Sequence, residues 1–452
     1  MLTKAMKILN TLRLHIQHSS LIPTRDMVVA YSGGIDSHVL LHALSRLRPQ
    51  FGFTLHAIHI HHGLSAAADQ WQQHCKQVCD TLAVQFQTAK VDVPQTARTS
   101  LEAVAREQRY KKITELAPAN AQVLLAQHQD DQLETFLLQL KRGAGPKGLS
   151  AMAEAWTVQH GDSKSVAFFR PLLAIAQQDI VEYAQQHQLN WCEDESNKNT
   201  EFERNFLRHD VLPVLQSRWP ELAKSVSRSA HLCAQQQTLL DEVCADKLGA
   251  LQTADNSLMV QGLLKLSANW LQQVVRYWLS LQGIQSPSLA VLERLQPDVL
   301  EAAEDAKPIL QWQGWQFRRF NQQLYVLPIQ SEIQPVVLQW TGQESLALPD
   351  NIGVLHFAKG AETLNDSVSL SLDDGDISIS LGNYSKRFTP ANSAHSKPLK
   401  QWFKLWQVPP WKRDKVVQII QNNKIIALLI EGQWQQATPV AGTKTVTVSF
   451  SQ

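Results

Sequence analysis

Six consecutive residues, SGGIDS at 32–37, sit between the apolar run DMVVAY and the segment HVLLH. A strand ending at Ser32 and a helix beginning near Asp36 leave Gly33 and Gly34 where the backbone turns, a place that suits positive φ. The amides of such a turn and the N-terminus of the following helix attract an anion, and Ser32 and Ser37 add hydroxyl donors. The loop is not of the Walker A type, because no Gly-Lys-Ser/Thr follows it. The plain alternative is a strand-to-helix turn capped by Asp36 or Ser37.

A second constellation lies in HQDDQLET, where Asp131 and Glu134 are three apart at the start of a helix and share a face. Two such carboxylates suit an ammonium group, or can hold a metal and deprotonate an attacking amine; first-turn acids serving only the helix dipole are the alternative. Arg106 in EAVAREQRY presents a planar fork suited to a phosphate. Arg204 and Arg208 in ERNFLR can do likewise or grip nucleic acid, while Arg204 can equally pair with Glu193 or Asp194. His59 and His62 straddle a strand end that faces the anion cleft. Lys141, Arg142 and Lys147 lie on the Gly-rich stretch KRGAGPKGL, suited to a phosphate backbone. The segment 384–415 holds eight Lys or Arg against one acid, among them Lys397, Lys400, Lys412 and Arg413, with Trp402, Phe403, Trp406 and Trp411 interleaved. Those aromatics are expected to pack inward.

The elements that must position these groups alternate in the first half. MVVAYS, FTLHAIHIH, VQFQTAKV and QVLLAQ read as strands, separated by helical patterns near 36–48, 66–83 and 99–117. That order predicts a doubly wound parallel sheet with helices on both faces and ligands at the carboxyl ends of its strands. Residues 221–280 read as helices and 308–328 as a short β hairpin pair, followed by a β-rich tail in which NDSVSLSLDDGDISIS reads as an acidic, Ser-rich linker. The fold class is thus α/β at the N-terminus, mainly helical in the middle and β-rich α+β at the C-terminus, with domains expected at 1–220, 221–335 and 336–452.

The 452 residues are 44% hydrophobic and 18% charged, as in ordinary globular chains, and 42 Lys plus Arg balance 41 Asp plus Glu. A polyanionic partner must therefore be met by a local patch. No stretch reaches the ~18 apolar residues of a membrane span, and the N-terminus lacks a signal-peptide core, so a cytoplasmic protein without a membrane partner is expected. Cys75 and Cys79, on one helical face, read as buried small residues and not as a metal or redox pair.

SGGIDS resembles the pyrophosphate loop of the PP-loop ATP pyrophosphatases, which split ATP between its α and β phosphates. The strings IHIHHGLS, SLEAVAREQRY, LLAQHQDDQLETFLLQLKRGAGPKGLSAM, RPLL and WCEDESNKNTEFERNFLRHDVLP, and KPLKQWFKLWQVPPWKRD near the end, are similar to the tRNA(Ile)-lysidine synthetase family in that order. His61 departs from the asparagine expected there. The resemblance implies an ATP-dependent ligase that adenylates the C2 carbonyl oxygen of the wobble cytidine in the CAU anticodon of tRNA(Ile) and joins L-lysine there through its ε-amine. It also implies that Ser32, Gly33, Gly34, Ile35, Asp36, Ser37, His59 and His62 hold ATP, with Asp36 on Mg²⁺. Asp36, Arg106, Asp131, Glu134 and Arg204 would be catalytic, while Lys141, Arg142, Lys147, Arg208, Lys397, Lys400, Lys412 and Arg413 would hold tRNA. A tRNA thiolase of the same fold, or a non-catalytic tRNA-binding relative, are the rival readings. The thiolase would need a persulfide cysteine or an iron-sulfur cluster, and the chain has no Cys-x-x-Cys.

Overall fold

The computed structural model describes residues 4–18, 20–22, 26–61, 68–91, 101–160, 164–193, 197, 199–303, 306–329, 333–360, 366–373, 376–438 and 444–451. They divide into two compact units, Met1–Glu242 and Val243–Gln452.

In the first unit, α1 (Lys4–Gln17) is followed by β1 (Met27–Ala30), α2 (Ile35–Phe51), β2 (Leu55–His61), α3 (Ala68–Thr81), β3 (Gln85–Lys90), α4 (Leu101–Leu116), β4 (Gln122–Leu124) and α5 (Gln129–Lys141). A short helix α6 (Pro146–Leu149), the pair β5 (Ala155–His160) and β6 (Lys164–Phe169), and α7 (Gln177–Gln186) complete the sheet layer. The strand order is β3-β2-β1-β4-β6-β5, parallel except for β5. The β5–β6 hairpin extends the sheet beyond the four strands read from sequence; its alternation is diluted by Gln159 and Lys164, so little apolar run marks it.

Alternation along each strand divides the core. Met27 and Val29 of β1 face α1, α2 and α7 through Ile8, Leu12, Leu40, Leu44 and Ile180, whereas Val28 faces the opposite layer with Ile58, Ile113, Val123 and Phe168. Cys75 and Cys79 are fully buried in the first of these layers, as expected for small apolar residues. The strand order reverses between β1 and β4, so the loops leaving these two strands open a crevice at their carboxyl ends.

Beyond the sheet come α8 (Glu203–Phe206), a π-helical turn at Leu207–Val211, α9 (Leu212–Arg218) and the 28-residue α10 (Leu222–Gly249). Leu133 and Leu137 of α5 pack on Leu212, Leu215, Leu222 and Ala223, which locks this helical run to the start of α5.

The second unit begins with helices at Ala268–Leu281 and Leu289–Leu295 and an antiparallel sheet built from Leu258–Met259, Ile309–Trp312, Trp315–Phe320 and Gln323–Pro328. A five-stranded and a four-stranded sheet then enclose Leu355, Leu370, Ile379, Ile419 and Val448. The segment expected to be a linker forms two of those strands, Ser367–Leu372 and Ile377–Leu381. Val368, Leu370 and Leu372 point inward while Ser369 and Ser371 face out, so the period of two prevails over the Ser-rich composition. Of the four aromatics expected to pack inward, Trp402 and Phe403 of the helix Leu399–Leu405 are buried, while Trp406, against the same cluster, and Trp411, against Phe320 and Tyr325, are half-buried.

Candidate active site at the β1 and β4 carboxyl ends

The loop after β1 turns at Gly33, which has φ +90°, and α2 starts at Ile35 with Gly34 as its N-cap. A Cβ on Gly33 would lie 2.9 Å from Cys75 Sγ, so the position is restricted by space as well as by backbone angle. Cys192 N–H donates to Gly33 O at 3.0 Å and pins the turn from the other side. Ser37 Oγ donates to Gly34 O at 3.1 Å and accepts Ser32 N–H at 3.2 Å, which closes the loop on itself. No side chain caps α2, so the amides of its first turn remain available at the positive end of the helix dipole. Asp36 is not the cap. Its Oδ1 is buried without a hydrogen bond and faces His128 Nε2 at 3.6 Å; burial raises the Asp36 carboxyl above its usual range, opposed by His128.

The loop after β4 supplies the opposing wall. His128 precedes α5, and its N–H donates to Asp131 Oδ2 at 3.0 Å. His128 Nε2 also lies 3.5 Å from Asp131 Oδ2, which places the ring between two carboxylates from different elements. Glu134, one turn further, is 1% exposed and receives both Nε and Nη2 of Arg208, at 2.7 and 3.0 Å. Arg208 Nη2 stands 3.5 Å from Asp131 Oδ1, and Arg204 Nε stands 3.5 Å from Glu134 Oε2. Burial raises the Glu134 carboxyl while the hydrogen bonds from Arg208 oppose the shift. The sequence had allowed Arg204 to pair with Glu193 or Asp194; Glu134 and the hydroxyl of Thr135, at 3.0 Å, are its partners, and Asp194 lies outside the described residues. Arg208, read as a tRNA contact, has its fork on Glu134.

Beside this cluster opens a cleft of about 580 Å³ whose cationic lining is Arg106, Arg142, Arg170 and Arg204. Tyr110 and Trp156 form its aromatic wall, with the Arg170 guanidinium 4.3 Å from the centroid of the Trp156 ring. Arg170 also donates to Gln127 Oε1 at 2.9 Å and to Ala153 O. His59 is buried behind the phosphate loop, with Nδ1 2.9 Å from Tyr31 O, and His62 lies outside the described residues. Lys141 pairs with Glu203, and Lys147 is exposed on α6. In the second unit, Lys400 is exposed, Lys412 pairs with Glu431, Lys397 stands over the Trp402 ring and Arg413 donates to Val408 O at 3.0 Å.

The sequence alone assigns no role to His128, Arg170 or Trp156. His128 and Arg170 do fall within the strings HQDDQLET and RPLL, each just past a strand. Strand-end position was the usable signal; Trp156 had none.

Two histidines on α2 predict an acid response. Burial first, and then neighbouring His74 for His38 and His187 for His42, lower both imidazoles from 6.5 to about 4. The unfolded chain therefore takes up protons at these sites between pH 6.5 and 4 that the folded chain refuses. Stability is full above 6.5 and falls through that window. Asp36 and Glu134 act in the opposite sense, because their raised carboxyls take up protons more readily in the fold. Thermal melting at pH 7 and pH 5 is expected to show a smaller drop for the His38→Gln, His42→Gln double variant than for the parent chain. Equal drops would remove the two histidines from the account.

A glycine-turned anion loop at the switch point of a doubly wound sheet, facing acids on the neighbouring strand's helix, defines an ATP-binding α/β enzyme of the PP-loop class. The family model described as a PP-loop domain matches residues 5–215, and those described as the TilS substrate binding domain and the TilS substrate C-terminal domain match 258–325 and 377–448. A tRNA(Ile)-lysidine synthase of Serratia proteamaculans is 43% identical over 411 residues, covering 90% of this chain and 91% of that protein. Another, of Coxiella burnetii, is 37% identical over 412 residues, covering 91% and 90%. The chain belongs to the tRNA(Ile)-lysidine synthase family; it uses ATP and acts on tRNA(Ile). A solved U34-tRNA thiolase from Methanococcus maripaludis, with its 4Fe-4S cluster, is similar at TM-score 0.42 and 15% identity, covering 51% of this chain and 80% of that one. Among the described residues no helix is long and apolar enough to cross a membrane.

Proposed function

We propose that the chain joins L-lysine to the wobble cytidine of tRNA(Ile) with a CAU anticodon, forming a C–N bond at the expense of ATP in the cytoplasm. The observation that carries this reading is the convergence of Asp36 from the first loop with Asp131 from the second, beside a cleft lined by arginine and aromatic side chains.

ATP lies with its β and γ phosphates on the turn at Ser32, Gly33, Gly34, Ile35 and Ser37, held by amides and hydroxyls. The flipped cytosine enters the cleft against Trp156 or Tyr110, and Arg106 or Arg204 meets the α phosphate. The C2 carbonyl oxygen attacks the α phosphorus and pyrophosphate leaves. The ε-amine of lysine, held and deprotonated at Asp131, then attacks C2, and the oxygen departs with AMP. Among the described residues no cluster of three or more His, Cys, Asp or Glu forms a protein-only metal cage. Magnesium needs only one or two carboxylates plus substrate phosphates, and the orphan, buried Oδ1 of Asp36 fits that need. When bound, Mg²⁺ offsets charge on the departing pyrophosphate. Lys141, Arg142, Lys147, Lys397, Lys400, Lys412 and Arg413 are assigned to tRNA phosphates, a sequence-independent attraction.

The purified chain, given labelled lysine, ATP and unmodified tRNA(Ile) with a CAU anticodon, is expected to place label in that tRNA and release AMP and pyrophosphate in equal amounts. Sulfur incorporation without lysine would replace this reading with the thiolase. Binding of tRNA without turnover would replace it with a non-catalytic relative.

A further inference from the structure

His128 takes no part in the scheme above, although it is 2% exposed and lies at the centre of the cluster. Its backbone N–H donates to Asp131 Oδ2 at 3.0 Å and its carbonyl accepts Gln132 N–H at 3.2 Å, so the residue is fixed at the head of α5. Its Nε2 lies 3.6 Å from Asp36 Oδ1 and 3.5 Å from Asp131 Oδ2, almost equidistant from carboxylates 95 positions apart in the chain. On the far side of the ring, Nδ1 faces Asp130 Oδ2 at 3.8 Å. Asp130 is itself anchored, accepting Gln177 N–H at 2.8 Å and the Gln216 side-chain amide at 3.4 Å. Arg208 stands 3.5 Å from the other oxygen of Asp131, and Glu134 follows one turn along α5 with Arg204 and Arg208 on it.

We propose that His128 is a positioning residue that ties the phosphate-side carboxylate, Asp36, to the amine-side carboxylate, Asp131. Its Nε2 edge stands close to both acids, and the ring fills the space between them. Like charges this close repel, and with the ring removed they would move apart or rotate. Both partial reactions need the two acids in register, since the cytosine activated beside Asp36 must be the one attacked by the amine at Asp131. The backbone bond from His128 to Asp131 makes the tie rigid on one side. The looser 3.6 Å approach of Nε2 to Asp36 Oδ1 leaves it adjustable on the other, where ATP arrives. This assignment rests on the proposed function for the identities of the two acids, and on the geometry alone for the bridge.

The test compares the parent chain with His128→Ala and His128→Gln, following lysine incorporation into tRNA(Ile), KM for ATP and for lysine, and the melting temperature. Glutamine keeps an N–H donor at about the place of Nε2, whereas alanine keeps none. His128→Ala is expected to lower kcat about 100-fold, the loss that a misplacement of roughly 1 Å brings, with KM for ATP changed less than about threefold. His128→Gln is expected to recover at least about tenfold of that loss. A purely structural histidine predicts something else: both variants melt lower and lose activity in step with melting, and glutamine gives no recovery. That result, or a kcat for His128→Ala within about threefold of the parent, overturns the proposal. A parent chain that transfers no lysine fails before any variant is compared, and takes the function and the bridge down together.

Discussion

Asp36→Ala is expected to lower lysine incorporation into tRNA(Ile) by a factor on the order of 10³, because it removes the carboxylate facing the departing pyrophosphate. The same variant is expected to melt no lower than the parent. Asp36 Oδ1 is buried and accepts no hydrogen bond, so the carboxyl is desolvated with little return from the protein. Lost activity combined with unchanged stability is the signature of a group held in place for its ligand, and a paired assay and melt on one sample reads both. Activity within about tenfold of the parent would take Asp36 out of the chemistry. A large fall in melting temperature would make its role structural.

Arg208→Ala is expected to cost about 3 kcal/mol of stability in the first unit, near the lower end of the ~3–5 kcal/mol that accompanies loss of one partner from a buried ion pair. The lower end applies because Arg204 stays 3.5 Å from Glu134 and part of the Arg208 side chain reaches solvent. The loss has a pH dependence of known sign. Burial already raises the Glu134 carboxyl, and without Arg208 the opposing hydrogen bonds disappear, so Glu134 takes a proton at still higher pH. Destabilisation should therefore be larger at pH 8 than at pH 5. Arg208→Lys should recover only part of the loss, since an ammonium cannot reproduce the contacts at 2.7 and 3.0 Å with both carboxylate oxygens. Denaturant unfolding at both pH values decides it, and a difference below about 1 kcal/mol would mean that Glu134 does not depend on Arg208.

The phosphate loop was legible in sequence because its information is local. A strand, two glycines and a helix start within ten residues, and the structure adds only that Gly33 has φ +90° and that Gly34, not Asp36, is the cap. Burial of Cys75 and Cys79 was legible for the same reason, since spacing on a single helix settles it. The ion pairs of the site were not. Arg208 and Glu134 belong to different helices 74 positions apart, and no spacing rule within either element names the other. Arg204 shows the same limit: the acids nearest in sequence, Glu193 and Asp194, competed for it, whereas packing of α5 on the later helices delivers Glu134. The acidic, Ser-rich stretch after residue 365 shows a different limit, since its composition suits a linker while the alternation of Val368, Leu370 and Leu372 makes it a strand.

The pairing of Glu134 with Arg208 also sets an order of events during synthesis. Chain growth at roughly 5–20 residues per second separates the emergence of these two side chains by about 4 to 15 s. Through that interval the acids at the head of α5 have no arginine from the 204–208 segment to meet. The nascent domain therefore carries its anion loop long before the charge balance of the site exists, and Leu207–Val211, the latest of the site's segments to be synthesised, is the one that completes it.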